Sequence, residues 1–170
     1  MRVTNLRVAF IAVWLGLAIY FSAIVAPSAF GVLRSFNLAN AGEIAGTIVS
    51  RALSAVNKSG LLLSLLVLVS APAVKKYYGR WSFIFQNLLL IVVAILTTAG
   101  EWLIAARMRA LRLAMNGQID QVPLSDPNRI AFAALHVYSV AALSIAMIAA
   151  LIVILLMIIS REGPVTTSKE

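Results

Sequence analysis

Two ionisable residues beside long apolar stretches are the first candidates for chemistry in this sequence. Glu101 follows the uncharged stretch 82–100, and His136 is the single histidine. An ionisable group in lipid is costly, so each is a functional-site hypothesis by default. A buried carboxylate can accept a proton or bind a cation, and a histidine can carry a proton or ligate haem or a metal. The alternatives are structural: an ion pair with a neighbouring arginine for Glu101, and a hydrogen bond for His136.

Further polar residues are expected to join these two in one interior cluster. Glu43, Thr47 and Arg51 recur at every fourth position and therefore share a helical face. The alternative is a surface helix whose charged side chains reach water. The complete candidate cluster is Glu43, Thr47, Arg51, Glu101, Arg107, Arg112, His136 and Ser139.

Small residues form a second stripe beside Glu43, Thr47 and Arg51. Gly42, Gly46, Ser50 and Ser54 are also four residues apart. Small side chains let two helix backbones approach closely in a membrane. This stripe is therefore predicted to be a helix-packing face. The helix that packs on it could belong to this chain, to a partner subunit or to a second copy of the chain.

The composition places these residues in a membrane protein. Hydrophobic residues make up 62% of the 170 positions and charged residues 12%, and the mean hydropathy is +0.98. The net charge of +8 comes from short basic clusters beside apolar stretches, which favours anionic lipid headgroups as partners over nucleic acid. The chain has no cysteine, so disulfides, thiolate metal sites and cysteine nucleophiles are excluded.

The elements that must position the polar residues are helices. About 20 apolar residues are needed to cross the hydrocarbon core, and the chain has four such stretches. An amphipathic helix over about 40–57 leads into the second of them, and the two are expected to form one long element. The sequence thus predicts an all-α, four-helix membrane bundle in one domain, 1–160, followed by a polar tail, 161–170. The predicted spans are about 8–30, 58–74, 82–106 and 130–160.

Local signals mark several helix ends. Asn40 with Glu43 three residues later has the pattern of a capping box. Asp126 followed by Pro127 is typical of an N-cap and a first-turn proline. The pair Asn116-Gly117 is expected to stop the third helix.

The basic turn between the second and third spans indicates the orientation. Lys75, Lys76 and Arg80 lie there beside Trp81, without an acidic residue nearby. Cytoplasmic connections are enriched in lysine and arginine, and tryptophan favours the interface. With four spans both termini share the side of this turn, so both are predicted to be cytoplasmic.

Four motifs stand in order along the chain. They are Trp14-Leu15-Gly16 with Ala26-Pro27-Ser28-Ala29-Phe30, Ala41-Gly42-Glu43-Ile44-Ala45-Gly46, Arg107-Met108-Arg109-Ala110-Leu111-Arg112, and Phe132 to His136 with Ser139. Together they resemble an uncharacterised bacterial membrane family, domain of unknown function 4149, which is grouped with the eukaryotic transmembrane protein 205. The resemblance covers most of residues 8–155. It implies a four-helix fold in the bacterial inner membrane without an assigned activity, and distant similarity to copper-resistance and haem-biosynthetic oxidase bundles.

Three functions remain open at this point. The first is a bundle that handles a small solute, ion or lipid without catalysing a reaction. The second is a haem- or copper-binding redox protein, for which His136 is the only ligand candidate. The third is an accessory or structural subunit, and self-association is compatible with all three. No phosphate-binding glycine loop, His-Glu-x-x-His or Gly-x-Ser-x-Gly motif indicates an enzyme.

Overall fold

The computed structural model of the chain describes residues 2–38, 40–115 and 119–160. The predicted polar tail, 161–170, and the predicted helix stop at Asn116-Gly117 lie outside these residues. The α-helices cover Arg2–Tyr20, Ala26–Ser35, Ala41–Val69, Ala71–Val74, Arg80–Thr98, Ala105–Ala114 and Pro127–Ile159, with π-helical turns at Phe21–Val25 and Ala99–Ile104 and 3₁₀ turns at Lys75–Tyr77 and Ile119–Gln121.

Four helical stretches of the described chain are long and apolar enough to cross a membrane: Val3–Ser35, Ala41–Val69, Arg80–Ala114 and Pro127–Ile159. These are the first to fourth spans below, and they confirm the predicted all-α membrane bundle. A span of 33 residues such as the fourth is about 50 Å long, whereas the hydrocarbon core is about 30 Å thick. The spans therefore have length to extend beyond the core.

The spans pack in chain order around a closed ring. The first packs on the second, the second on the third, the third on the fourth, and the fourth returns to the first. Because consecutive spans run antiparallel, the bundle has two ends. The terminal end holds the start of the first span, the connection 70–79 and the end of the fourth span. The distal end holds the end of the first span and the starts of the second and fourth spans.

The first span presents one seam to the bundle interior. Six of its buried residues alternate spacings of three and four, as in helices that pack at a shallow angle, and Leu15 beside them is also buried. Trp14 in this seam is 2% exposed, and its Nε1 donates to the Val56 carbonyl of the second span at 3.0 Å. The seam consists of Thr4, Arg7, Ile11, Trp14, Ala18 and Phe21.

A wide turn lets the first span continue past Pro27. The π-helical turn Phe21–Val25 precedes it, with the Ala26 N–H donating to the Phe21 carbonyl. Proline lacks an N–H and crowds the preceding turn, so a locally widened helix accommodates it. The span ends at Ser35, and Asn37 beyond it has a φ of 52°, a left-handed conformation that asparagine tolerates at helix ends.

The second span is a single helix from Ala41 to Val69, through Lys58 and Gly60. It starts directly after Asn40, but the Asn40 side chain makes no capping hydrogen bond, so the predicted capping box is wrong in this respect. Glu43, the second residue of the predicted box, pairs with Arg112 of the third span.

The fourth span begins with the predicted cap. Asp126 accepts hydrogen bonds from the backbone N–H groups of Asn128 at 2.8 Å and Arg129 at 3.2 Å, and Pro127 occupies the first turn. These bonds satisfy N–H groups that have no partner within the helix. The prediction at Asp126-Pro127 is therefore confirmed.

Candidate functional site

Glu101 is a buried carboxylate in the π-helical turn Ala99–Ile104 of the third span, with 4% of the residue exposed. Its Oε1 accepts a hydrogen bond from the Ser54 hydroxyl at 2.8 Å and lies 3.4 Å from the Lys58 Nζ. Its Oε2 is buried and has no hydrogen-bond partner in the described part of the chain. One oxygen of the carboxylate is thus satisfied by the second span, and the other is buried without a partner in the described residues.

Lys58 differs sharply from Glu101 in its burial. The Lys58 side chain is 58% exposed at the surface of the bundle, against 6% for the Glu101 side chain. The ion pair therefore joins an exposed ammonium group to a buried carboxylate.

A second polar group lies between the second span and the end of the third. Arg112 Nε lies 3.4 Å from Glu43 Oε1, and Arg112 Nη1 donates to the Thr47 hydroxyl at 3.5 Å. The guanidinium also lies 5.7 Å from the centre of the Phe132 ring, within the range of a cation–π contact. Gly46 permits this arrangement, because a Cβ there would be 2.7 Å from Arg112 Nη2.

The interior next to Glu101 is closed. Asn57, Thr97 and Ser139 line a niche between the second, third and fourth spans, and it has no space for a water molecule. Gly100 brings the helices together, since a Cβ at this position would lie 3.0 Å from Asn57 Nδ2. Passage of a solute through the bundle would therefore require the helices to move.

Exposed aromatic residues mark the level of Glu101 along the bundle. Trp81 and Trp102 of the third span are 72% and 52% exposed, and they lie about 30 Å apart at 1.5 Å per residue. This separation equals the thickness of the hydrocarbon core, and tryptophan is enriched at its boundaries. Tyr138, next to the niche residue Ser139, is also exposed. Glu101 directly precedes the second of these tryptophans in the sequence.

The structure divides the predicted polar cluster. Glu43, Thr47 and Arg112 form one group, and Glu101 lies in the other with Ser54 and Lys58. Ser139 is buried in the adjoining niche. Three predicted members, Arg51, Arg107 and His136, have exposed side chains and lie outside both groups.

The predicted small-residue stripe faces the third span through two of its members. Gly46 accommodates Arg112, and Ser54 donates to Glu101. Ser50 is exposed, with its hydroxyl bonded to the Gly46 carbonyl, and Gly42 is half-buried. Within the chain, Ser54 of the stripe thus contributes a polar contact and Gly46 permits close packing.

Lys58 was not among the predicted site residues, although its helical position relative to Glu43 can be calculated from the sequence. Ser54 and Lys58 are 11 and 15 residues after Glu43, which at 100° per residue places all three within about 60° on one helical face. Arg51 lies at the edge of that face, about 80° from Glu43. Extending the polar pattern beyond Arg51 would have identified Ser54 and Lys58 as neighbours of the third span.

The described side chains offer few ligands for a metal. They contain no group of three or more His, Cys, Asp or Glu residues that could hold an ion. The unpartnered oxygen of Glu101 is able to accept a hydrogen bond or contact a cation.

Comparison with known proteins assigns the chain to a family. Residues 9–117 match a protein family described as domain of unknown function DUF4149. The match extends from the first span to just beyond the third and includes Glu43, Glu101 and Arg112. No curated protein and no solved structure matches the chain. Since the matched region exceeds half of the 170 residues, this multi-pass membrane protein belongs to the DUF4149 family.

Proposed function

We propose that this protein handles a small monovalent cation at Glu101 without catalysing a reaction. The observation that carries the proposal is the Glu101 carboxylate, which is 4% exposed and whose Oε2 lacks a partner among the described residues. A buried carboxylate without full compensation is unfavourable, so it gains from an external cation or donor. Glu43 also has an open Oε2, but its partner Arg112 stays charged and is only 16% exposed.

Lys58 supplies a mechanism for exchange. When no solute is bound, its ammonium group neutralises Glu101 from 3.4 Å. An incoming cation takes this place, and Lys58 turns away from the bundle, where more than half of its side chain is already exposed. The net charge of the site stays unchanged during the exchange, which keeps the cost of binding low.

The third span provides the element that changes shape. Glu101 lies in the π-helical turn Ala99–Ile104. A π-helical turn contains one residue more than an α-helical turn, and such turns occur frequently at functional sites. A shift of this turn to α-helical geometry rotates Glu101 relative to Ser54 and alters the contact between Gly100 and Asn57. This movement opens the closed niche beside the carboxylate.

We also propose that the membrane is the bacterial inner membrane and that both termini are cytoplasmic. The resemblance to the family grouped with transmembrane protein 205 supports the first part. Lys75, Lys76 and Arg80 support the second, because all three are exposed at the terminal end beside Trp81. In this orientation Glu101 faces the periplasmic side, and the three basic residues contact anionic lipid headgroups.

The proposal is tested by cation entry into proteoliposomes loaded with a sodium-sensitive or potassium-sensitive dye. The wild-type protein is expected to admit one of these cations faster than empty vesicles do. Glu101→Gln should reduce entry to the rate of empty vesicles, because the amide keeps the shape but removes the charge. Lys58→Gln should strengthen cation binding by about 1.4- to 5-fold, since an exposed ion pair is worth about 0.2–1 kcal/mol.

Glu43→Gln is the matched control, with the same change at the arginine-paired carboxylate. It should retain entry at a rate near that of the wild type. Equal entry in the wild type and Glu101→Gln, or no entry of either cation in the wild type, would contradict the proposal.

A further inference from the structure

Arg7 is a buried charge inside the bundle, near the terminal end. The residue is 2% exposed, and its Nε, Nη1 and Nη2 atoms are all buried without a hydrogen-bond partner in the described structure. The arginine side chain remains charged in proteins, so it does not escape this cost by losing a proton. An unpaired buried charge costs several kcal/mol. A counter-charge is therefore required.

The described acidic side chains do not supply it. Glu43 pairs with Arg112 and Glu101 pairs with Lys58. Asp126 caps the fourth span. All three lie at or towards the distal end of the antiparallel bundle, away from the start of the first span.

The surroundings of Arg7 favour an anion. Thr4 lies one turn earlier on the same seam, is 2% exposed, and its hydroxyl is buried without a partner in the described residues. The connection at the terminal end carries Lys75, Lys76 and Arg80, all exposed. A guanidinium and a hydroxyl side by side, with further positive charge near the entrance, form a typical oxyanion-binding set.

Tyr78 forms the cover of this site. It is buried, interacts electrostatically with Arg7, and its hydroxyl donates to the Met157 carbonyl over a long 3.4 Å. It belongs to the short connection between the second and third spans, where it has extended backbone geometry. Movement of this connection is the shortest way to expose Arg7 at the terminal end.

We infer that Arg7 and Thr4 bind a phosphate group from outside the chain, beneath the connection that carries Tyr78. The guanidinium donates two parallel hydrogen bonds to phosphate oxygens, and the Thr4 hydroxyl donates a third. The phosphate belongs either to a lipid headgroup or to a free phosphate ion. This site is separate from Glu101 and does not depend on the proposed cation function.

The test uses protein in dodecyl maltoside, a detergent without phosphate, to which inorganic phosphate or phosphatidylglycerol is added at constant ionic strength. The unfolding temperature of the wild type should rise with at least one additive. Phosphatidylglycerol alone would identify a lipid site, and a rise with both would identify a site for free phosphate. Arg7→Gln should bind about 10- to 100-fold more weakly, as expected for losing a charged hydrogen bond.

Two further variants keep the outcome interpretable. Arg34→Gln removes an exposed arginine at the distal end of the same span and should respond like the wild type. Arg7→Met, which replaces the buried charge with an apolar chain, should unfold at a higher temperature than the wild type without phosphate and lose that advantage when phosphate is added. No rise with either additive, or an equal rise in Arg7→Gln, would overturn the inference.

Discussion

Trp14→Ala is expected to lower the free energy of unfolding of the bundle by about 3 kcal/mol. Trp14 is one of the largest fully buried side chains and fills the space between the first and second spans. In soluble proteins this change costs about 3–5 kcal/mol. Because lipid is as apolar as the bundle interior, the free energy of transferring the side chain from its surroundings into the bundle is small. The cost therefore comes mainly from the lost packing contacts. Denaturant titration in detergent measures the change.

Trp14→Phe separates packing from hydrogen bonding. Phenylalanine keeps a ring in the cavity but loses the bond from Nε1 to the Val56 carbonyl. Its expected cost is about 1 kcal/mol for the neutral hydrogen bond, plus a small void. A cost below about 1 kcal/mol for Trp14→Ala would mean that the ring is not packed as described.

Gly60→Ala is expected to destabilise the same contact by about 1–3 kcal/mol, although alanine usually favours a helix over glycine by about 1 kcal/mol. A Cβ at position 60 would lie 2.7 Å from Cε2 and Nε1 of Trp14. These atoms belong to a rigid buried ring, so the two helices must separate. The free energy of unfolding in detergent measures the effect.

Gly16→Ala is the matched control on the neighbouring span. No atom lies within 4 Å of a Cβ at this position, so the change should be neutral or stabilising by up to about 1 kcal/mol. If Gly60→Ala proved as harmless as Gly16→Ala, the close approach of the first two spans would be contradicted.

The number and type of the elements follow from hydrophobicity. Four long apolar stretches must become helices, because lipid offers no partners for backbone groups. The Asp126 cap was predictable for a similar reason, since its bonds lie within a few residues of the chain. Such local or general constraints do not require knowledge of how the helices pack.

The pairing of polar residues was less predictable. Glu43 has a capping-box position in the sequence, but a tertiary contact with Arg112 takes precedence. Histidine is a common functional residue, yet His136 is exposed. Its burial depends on which faces of the helices pack together, and the sequence of one helix does not determine that. The π-helical turn Ala99–Ile104 also changes the helical phase around Glu101, and regular helical periodicity does not include such a turn.

The burial of Arg7 could have been predicted from the spacing of the interior residues in the first span. Residues 4, 7, 11, 14, 18 and 21 alternate spacings of three and four, and all six are buried. The pattern indicates an interior seam that includes an arginine. Its proximity to the chain start and to the membrane boundary instead suggests an interfacial anchor, a role that many arginines at this position have.

Binding of a cation by the Glu101 carboxylate is the central claim, and infrared difference spectroscopy tests it most directly. Protein in membranes is exchanged between sodium or potassium and the large cation N-methylglucamine. The carboxylate stretching bands should shift on exchange, and the shift should be absent in Glu101→Gln and retained in Glu43→Gln. A shift that persists in Glu101→Gln, or no shift in the wild type, would contradict cation binding at this residue.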